Sequence, residues 1–315
     1  MGLDALVTVV IPTHNRPRKL VALLESLERH QVPELDSVVV VDDSDEPADL
    51  RRFESLHLEH VVLGRRVFIS KAKNMGWQRT KTEFVYFIDD DNVVDDTTIG
   101  PLVNRIRASP TVAAMMPSVL YKSTPSTVWV YATPLLPGRL KHLLIGRNLP
   151  RNASLENRLL STDALPNAFI IRRRALEDVG GFDENLVVNS SMDLCLRLKA
   201  KRWGVFAYSG SLTYHDVELP GKFGWWAAHG SADPERVRYE IRDWFIIRRK
   251  LLGEQRFFAL RSVFESAKFV IPNLLAYATR GRKKGAILRS LSLGYLEGLR
   301  SKSSTPSRVQ IRQRS

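Results

Sequence analysis

The sequence predicts a doubly wound α/β domain, built on a mainly parallel sheet and followed by a helical, basic appendage. Three observations carry this expectation. Strand-like and helix-like apolar patterns alternate over residues 7–88, polar and acidic residues close each strand-like run, and the surplus of positive charge is confined to residues 241–315.

Val7–Ile11 is a continuous β-branched run, the pattern of a strand buried on both faces. Arg16–His30 sets Leu20, Leu23, Leu24 and Leu27 at helical spacing, giving one apolar stripe. Ser37–Val41 is a second buried strand, closed by the polar cluster Asp42–Glu46. Ser70–Arg79 is predicted to be a helix and Phe84–Ile88 a third strand. Strands and helices in strict alternation imply parallel strands joined by right-handed crossovers. Sheets of this kind bind ligands outside the carboxyl ends of their strands. Here those ends carry Pro12-Thr13-His14-Asn15, Asp42-Asp43-Ser44 and Asp89-Asp90-Asp91. That edge is the expected site.

Beyond it, residues 110–165 are rich in Pro, Ser and Thr and offer one strand, Val112–Tyr121. Asn167–Ile171 is expected as a strand and Arg172–Val179 as a short helix stopped by Gly180-Gly181. Asp193–Lys201 is predicted helical, and Val205–Ser209 is a strand leading to His215. Glu235–Leu252 and Phe257–Tyr277 are predicted helices, and residues 301–315 are polar enough to be expected disordered.

Charge and composition narrow the class. Residues 1–240 balance 30 Lys or Arg against 30 Asp or Glu, whereas residues 241–315 carry 17 against 4, so the tail holds the whole net charge of +13. Such asymmetry points to an anionic partner, a membrane surface or nucleic acid. A single cysteine, Cys195, excludes an internal disulfide and a cysteine-cluster zinc site. Met1–Val10 lacks the basic start of a signal peptide, and no window reaches about 18 uninterrupted apolar residues, so no membrane-spanning helix is expected.

The chemistry concentrates at Asp89-Asp90-Asp91. Three adjacent carboxylates at a strand end repel one another and hold their charge at a cost unless a cation is present. All-oxygen ligands suit Mg²⁺ or Mn²⁺, which keep waters and share substrate phosphates.

With these pieces in view, the chain resembles the family 2 glycosyltransferases, inverting enzymes of the GT-A (Rossmann-like) fold that use nucleotide-diphosphate sugars. The resemblance covers residues 6–216. It rests on Val9–Arg16, Val41–Ser44, Lys73–Gly76, Phe87–Asn92, Gly180–Glu184, Asp193–Leu198 and His215, all in order. It implies a catalytic domain over residues 1–220, a helical basic region over 221–300 and a tail over 301–315. It also implies that Pro12, Thr13, Asn15, Asp43, Lys73, Asn74, Asp89 and Asp90 bind the nucleotide sugar. Asp91 and His215 are implied to hold Mn²⁺ or Mg²⁺.

The resemblance departs at the acceptor side. The family's acidic segment reads Asn189-Ser190-Ser191-Met192-Asp193 here, so serines stand in place of the acidic pair and only Asp193 remains. Serine is no base at neutral pH without an activating partner. Asp193 is the expected base, with Asp183, Glu184 or an impaired enzyme as alternatives, and a helix-start acid as its bland reading.

Trp225-Trp226 among glycines suggests an exposed loop that stacks on sugar or touches a membrane interface, or else core packing. Tyr239–Leu252 and Phe257–Leu274 are apolar stripes, and Arg280–Lys284 follows them. Such stripes flanked by basic clusters suit helices lying on an anionic leaflet, or helices packing on the catalytic domain. The expected partners are a nucleotide-diphosphate sugar, a glycan or lipid-linked acceptor, and an anionic membrane surface through residues 241–315. The expected location is cytoplasmic, peripheral at the inner face of the cell membrane. A basic nucleic-acid-binding protein leaves the strand-end acids unexplained, a sugar nucleotidyltransferase would open with a Gly- and Arg-rich loop absent from Ile11–Arg16, and a catalytically silent scaffold keeps the missing acids explained.

Overall fold

The computed structural model describes residues 6–136, 142–219, 233–252 and 284–301. By contacts the chain divides into two units, Met1–Glu184 with Ser191–Leu219, and Asn185–Ser190 with Pro220–Ser315.

The first unit is the predicted α/β layer. Its elements are β1 (Val7–Thr13), α1 (Pro17–His30), β2 (Leu35–Asp42), β3 (Leu58–Val62), α2 (Phe68–Trp77), β4 (Phe84–Ile88) and β5 (Asn92–Val93). These are followed by α3 (Gly100–Arg107), β6 (Val112–Tyr121), β7 (Thr124–Val130), β8 (Leu159–Ser161), β9 (Ala168–Arg172), α4 (Arg173–Val179), α5 (Ser190–Ala200) and β10 (Gly204–His215). The sheet runs β3-β2-β1-β4-β9-β6-β10-β5, with β7 on β6 and β8 on β10. The run β3-β2-β1-β4 is parallel throughout, and β10 pairs with β6 in parallel. Between these parallel stretches β9 is antiparallel to both β4 and β6. Chain order reverses at β1, with β2 on one side and β4 on the other. The carboxyl ends of β1 and β4 therefore flank a switch point, where such sheets open a crevice.

Period-two alternation explains why β1 is buried on both faces. Val7, Val9 and Ile11 join the core on one face with the α1 leucines, while Val10 joins the other face with Val39, Val41 and Phe87. Helix α1 starts on Pro17, whose fixed φ suits a first helical position, and buries Leu20, Leu23, Leu24 and Leu27 as the stripe predicted. Helix α2 lies close on β1. A Cβ on Gly76 would come 2.3 Å from Val10 Cγ1, so the contact requires glycine. Helix α4 ends on Gly180 at φ +73°, the left-handed stop expected from the glycine pair.

Two boundaries moved. Helix α5 begins at Ser190 rather than Asp193, which puts Asp193 in its first turn. Strand β10 is twelve residues rather than five and continues to His215, because an irregularity between Tyr208 and Leu212 lets it stay paired with β6. Strand β3, helix α3 and strand β7 carried no clear signal of their own.

In the second unit, helix α6 (Pro234–Leu252) packs against helix α7 (Lys284–Arg300). Arg238 pairs with Glu297, Phe245 meets Tyr295 edge-on at 5.1 Å, and Arg249 donates to Leu299 O at 2.6 Å. Gly294 and Gly298 admit this contact, since a Cβ on either would strike Arg238 or Phe245. Along Tyr239–Leu252 part of the basic cluster is drawn into the packing. Arg248 and Arg249 are buried, as are Trp244, Phe245, Ile246 and Ile247. Packing took the basic stems inward along with the apolar stripe. The helix predicted over Phe257–Tyr277, the Trp225-Trp226 pair, and all of the Arg280–Lys284 cluster except Lys284, whose side chain is not described, lie outside the described residues, as does the tail from residue 302. Among the described residues no helix is long and apolar enough to cross a membrane.

Candidate active site

The site is assembled at the carboxyl edge of β1, β2 and β4. The turn after β1 is tied to the turn after β2: Asn15, at φ +54°, donates its amide to Ser44 Oγ at 2.7 Å. The Asn15 side chain exchanges hydrogen bonds with Asp45, 2.8 Å to its carboxylate and 3.0 Å from its amide. Asp43 is held in the same knot. It accepts from the amides of Val67 and Phe68 at 2.7 and 3.2 Å, and His14 stands 3.0 Å from its other oxygen. Pro12 is still strand, buried and paired with Val41.

The turn after β4 holds the three acids, which are met by Lys73 and Arg16. Lys73, buried on α2, reaches Asp89 at 3.1 Å, and its ammonium lies over the rings of Phe169 and Phe182. Asp90 accepts from Thr13 Oγ1 at 2.7 Å and from Arg16 at 3.1 Å. Burial pushes the Asp90 carboxyl up to about 6, against the pull of Thr13 and Arg16. Arg16 also reaches Asp91 at 3.0 Å, so one guanidinium nitrogen bridges two acids. Asp91 is buried too, but His215 and Arg16 outweigh that and hold its carboxyl below the usual range.

His215 arrives from the far end of the sequence. The antiparallel register of β10 on β5 sets it opposite Asn92, and its Nε2 lies 3.4 Å from Asp91 Oδ1. Its ring is buried, Nδ1 has no partner, and Trp129 packs edge-on against it at 5.0 Å. The next residue closes the corner. Asp216 donates its amide to Asp91 O at 2.7 Å and accepts from Lys19 at 2.7 Å.

The structure thus brings Thr13, Lys73, Asp89, Asp90, Asp91 and His215 into one cluster, with Asn15 and Asp43 on the adjoining turns after β1 and β2. Asn74 is elsewhere. It faces the interior, where its amide donates to Phe182 O and Glu184 while its oxygen accepts from Trp77 and the Phe182 amide. This clamps the Gly180–Glu184 turn to α2, and Gly181, at φ +71°, leaves the room a side chain would take from Asn74. Asp193 is buried and paired with Arg197 at 2.8 Å, four residues along α5. Arg197 also donates to Val179 O, which anchors the pair. Ser191 accepts from the Leu165 amide at 3.4 Å. Sequence reasoning gave no role to Arg16, Lys19 or Trp129. Arg16 stood inside the first motif and so carried a signal, whereas Trp129 is brought in by β7 alone.

Mn²⁺ or Mg²⁺ was tested against the donors present. Among the described residues no three His, Cys, Asp or Glu side chains converge as a metal site. Asp91 and His215 do form a pair of suitable donors, an oxygen and an imidazole, which fits an ion that takes few protein ligands.

A sequence profile of glycosyl transferase family 2 matches residues 8–180. A pre-mycofactocin glycosyltransferase of Mycobacterium tuberculosis is 27% identical over 300 residues, covering 93% of this chain and 57% of that protein. The chain therefore spans little more than half the length of the curated relatives it matches. Among solved structures, GalNAc-T7 with UDP, GalNAc and Mn²⁺ superposes with a TM-score of 0.58 at 15% identity, over 85% of this chain and 55% of that one. A mannosyltransferase from Pyrobaculum calidifontis in complex with GDP-Man and Mn²⁺ gives 0.53 at 16% identity, over 94% and 84%. S. aureus TarS 1-349 in complex with UDP-GlcNAc gives 0.54 at 16%, over 93% and 89%. At these identities the likeness is one of fold.

Proposed function

The chain belongs to glycosyl transferase family 2, and from that premise we propose that it transfers a sugar from a nucleotide-diphosphate sugar to an acceptor hydroxyl with inversion. The observation that carries this reading is the cluster at the switch point, where Asp89, Asp90 and Asp91 meet Lys73, Arg16 and His215. An ordinary surface turn has no need of three acids held by a lysine, an arginine and a histidine that arrive from three different parts of the fold.

In this reading Asn15 and Asp43 form the rim that receives the base and ribose, and Asp89 with Lys73 faces the ribose and first phosphate. Asp91 and His215 would hold Mn²⁺ or Mg²⁺, with the remaining positions left to the donor's diphosphate and water. Bound there, the ion neutralises charge on the departing diphosphate. Arg16 and Lys73 add fixed positive charge at the same edge, which favours a leaving group that gains charge as the bond breaks. The acceptor oxygen attacks the anomeric carbon from the face opposite the diphosphate, and its proton passes to a carboxylate. Asp193 is our assignment for that carboxylate. It stands in the first turn of α5 and is held by Arg197 at 2.8 Å.

The acceptor is read as a glycan or lipid-linked hydroxyl at an anionic membrane surface. Support comes from the charge of residues 241–315, 17 basic against 4 acidic. That reading places the protein in the cytoplasm, peripheral at the inner face of the cell membrane.

Thermal melting with a panel of nucleotide sugars, with and without Mn²⁺, tests the central claim, since a ligand bound only by the folded state raises its apparent stability. At least one donor should raise the melting temperature in a Mn²⁺-dependent way, and Asp91→Ala should abolish that dependence without unfolding. A chain stabilised by no donor, or an Asp91→Ala variant with native metal dependence, would overturn the donor site.

A further inference from the structure

Among the described residues no carboxylate neutralises the charge of Arg147. The turn that bears it is fixed. Arg147 N donates to Leu144 O at 3.3 Å and Leu149 N to Gly146 O at 3.0 Å. Gly146 sits at φ +78°, where a Cβ would lie 2.5 Å from the Tyr131 ring, and Asn148 adopts φ +61°. Tyr131 N donates to Ile145 O, and Asn148 N to Val128 O, each at 2.9 Å. These bonds bind the turn to the end of β7 on both sides of Trp129.

The Arg147 guanidinium lies over the Trp129 ring, 4.3 Å from its centroid. Trp129 in turn meets His215 edge-on at 5.0 Å. Arg147 therefore stands one aromatic ring away from the imidazole that pairs with Asp91. Among the described residues no carboxylate pairs with it, and its buried Nε has no acceptor. Burial pulls its pKa down, and the only charge-type contact that opposes this is Tyr121, whose hydroxyl is already spent on Asn148.

A guanidinium stays charged at any working pH. Withdrawing it from water without an anion is costly. The stacking on Trp129 offsets part of that cost but meets none of the N–H donors. The half-buried guanidinium, fixed over Trp129, is a rigid, planar fork beside the site, and such forks match phosphate and carboxylate oxygens bidentately.

We propose that Arg147 is an oxyanion receptor of the active site, taking a phosphate or carboxylate group of the substrate with Trp129 as the floor of the subsite. The group belongs either to the donor's diphosphate or to an acidic acceptor. The inference rests on reading Asp91 and His215 as the donor-phosphate end of the site.

Calorimetric titrations of the full chain, Arg147→Gln and Arg147→Lys decide it, each with Mn²⁺ present. The probes are inorganic pyrophosphate, UDP, GDP, and glucuronate added after the nucleotide. Removing one charge-assisted contact should weaken the anion by about 10-fold or more in Arg147→Gln, with Arg147→Lys between the two. A loss for pyrophosphate and the nucleoside diphosphates assigns the donor as the source. A loss confined to glucuronate assigns an acidic acceptor. Unchanged affinities for all four probes in Arg147→Gln overturn the proposal and leave Arg147 as a packing partner of Trp129.

Melting temperatures are recorded beside the titrations. If Arg147→Gln does not fold, crystals of the native chain soaked in selenate take its place: a selenium peak within hydrogen-bond distance of the guanidinium supports the receptor, and none there overturns it. A native chain that binds selenate or pyrophosphate at Arg147 but no nucleoside diphosphate would sink the donor reading of Asp91 and leave the receptor standing.

Discussion

Asp193 has one structural duty in the fold and, in the proposed reaction, a second that substitution can test. Its carboxylate opens α5, where a negative charge favours the helix start, and it pairs with Arg197 at 2.8 Å. As general base it would contribute ~10²–10⁴-fold to the rate. Asp193→Asn should therefore lower turnover by about that factor while donor affinity stays near native. Native turnover in Asp193→Asn would assign the base elsewhere, and a fall in melting temperature measured beside the rate separates a broken helix start from a lost base. His142 makes a second, purely structural case at this scale. Burial lowers its imidazole from 6.5 to about 4, with Asp163 pulling weakly the other way. A histidine kept neutral in the fold gives stability that is fully present above pH 6.5 and is lost as pH falls toward 4. The native chain should lose up to about 1.4 kcal/mol for each pH unit in that window relative to His142→Leu. Urea midpoints of the two proteins at pH 7 and 4.5 check this, and parallel pH profiles would show that the ring is solvated.

At the scale of elements, close approach of helix to sheet is what holds Lys73 and Asn74 in place. Helix α2 carries Lys73 toward Asp89 and Asn74 toward the Phe182 turn, and both depend on Gly76 lying against Val10. Gly76→Ala drives a Cβ into a branched, fully buried side chain at 2.3 Å. Overpacking of this kind costs about 1–3 kcal/mol, against about 1 kcal/mol gained in helix propensity. A net loss of up to about 2 kcal/mol in urea unfolding is expected; a more stable variant would mean that α2 moves away without cost. A comparable anchor serves the segment before α5. Asp243 on α6 is buried and accepts from the amides of Val187, Val188 and Asn189 at 2.8, 2.6 and 3.2 Å. Arg242 balances its charge at 2.8 Å. The backbone leading to the serines that replace the family's acidic pair is thus fixed by a carboxylate of the second unit's own helix.

For the whole molecule the governing feature is charge, neutral over residues 1–240 and +13 over residues 241–315. Attraction of such a tail to anionic lipid decays within a Debye length and weakens as salt is added. The full chain should sediment with phosphatidylserine-containing vesicles at low salt, with binding reduced severalfold between about 0.05 and 0.3 M salt, and should ignore neutral vesicles. Equal binding to neutral vesicles, or binding indifferent to salt, would remove the electrostatic membrane contact. The inward turn of Arg248 and Arg249 already lowers the share of that charge available on α6.

By itself the sequence determined the buried central strands of the first unit and its helix α1. Val7–Thr13, Phe84–Ile88 and Val112–Tyr121 are apolar on both faces, and α1 has one leucine stripe, so local periodicity leaves little choice. It also determined the order of the polar strand ends, and with them the edge on which Asp89, Asp90 and Asp91 gather. Tertiary structure alone decided the rest. Strand β9 turns antiparallel between β4 and β6, and the long β10 delivers His215 to Asp91, through pairings no local pattern encodes. Asn74 turned inward because four hydrogen bonds awaited it there. Arg147 and Trp129 met His215 because a turn far along the chain is bonded to β7. Periodicity records which side of an element is buried, whereas the partner across a sheet edge depends on register, and register is fixed only when distant strands pair.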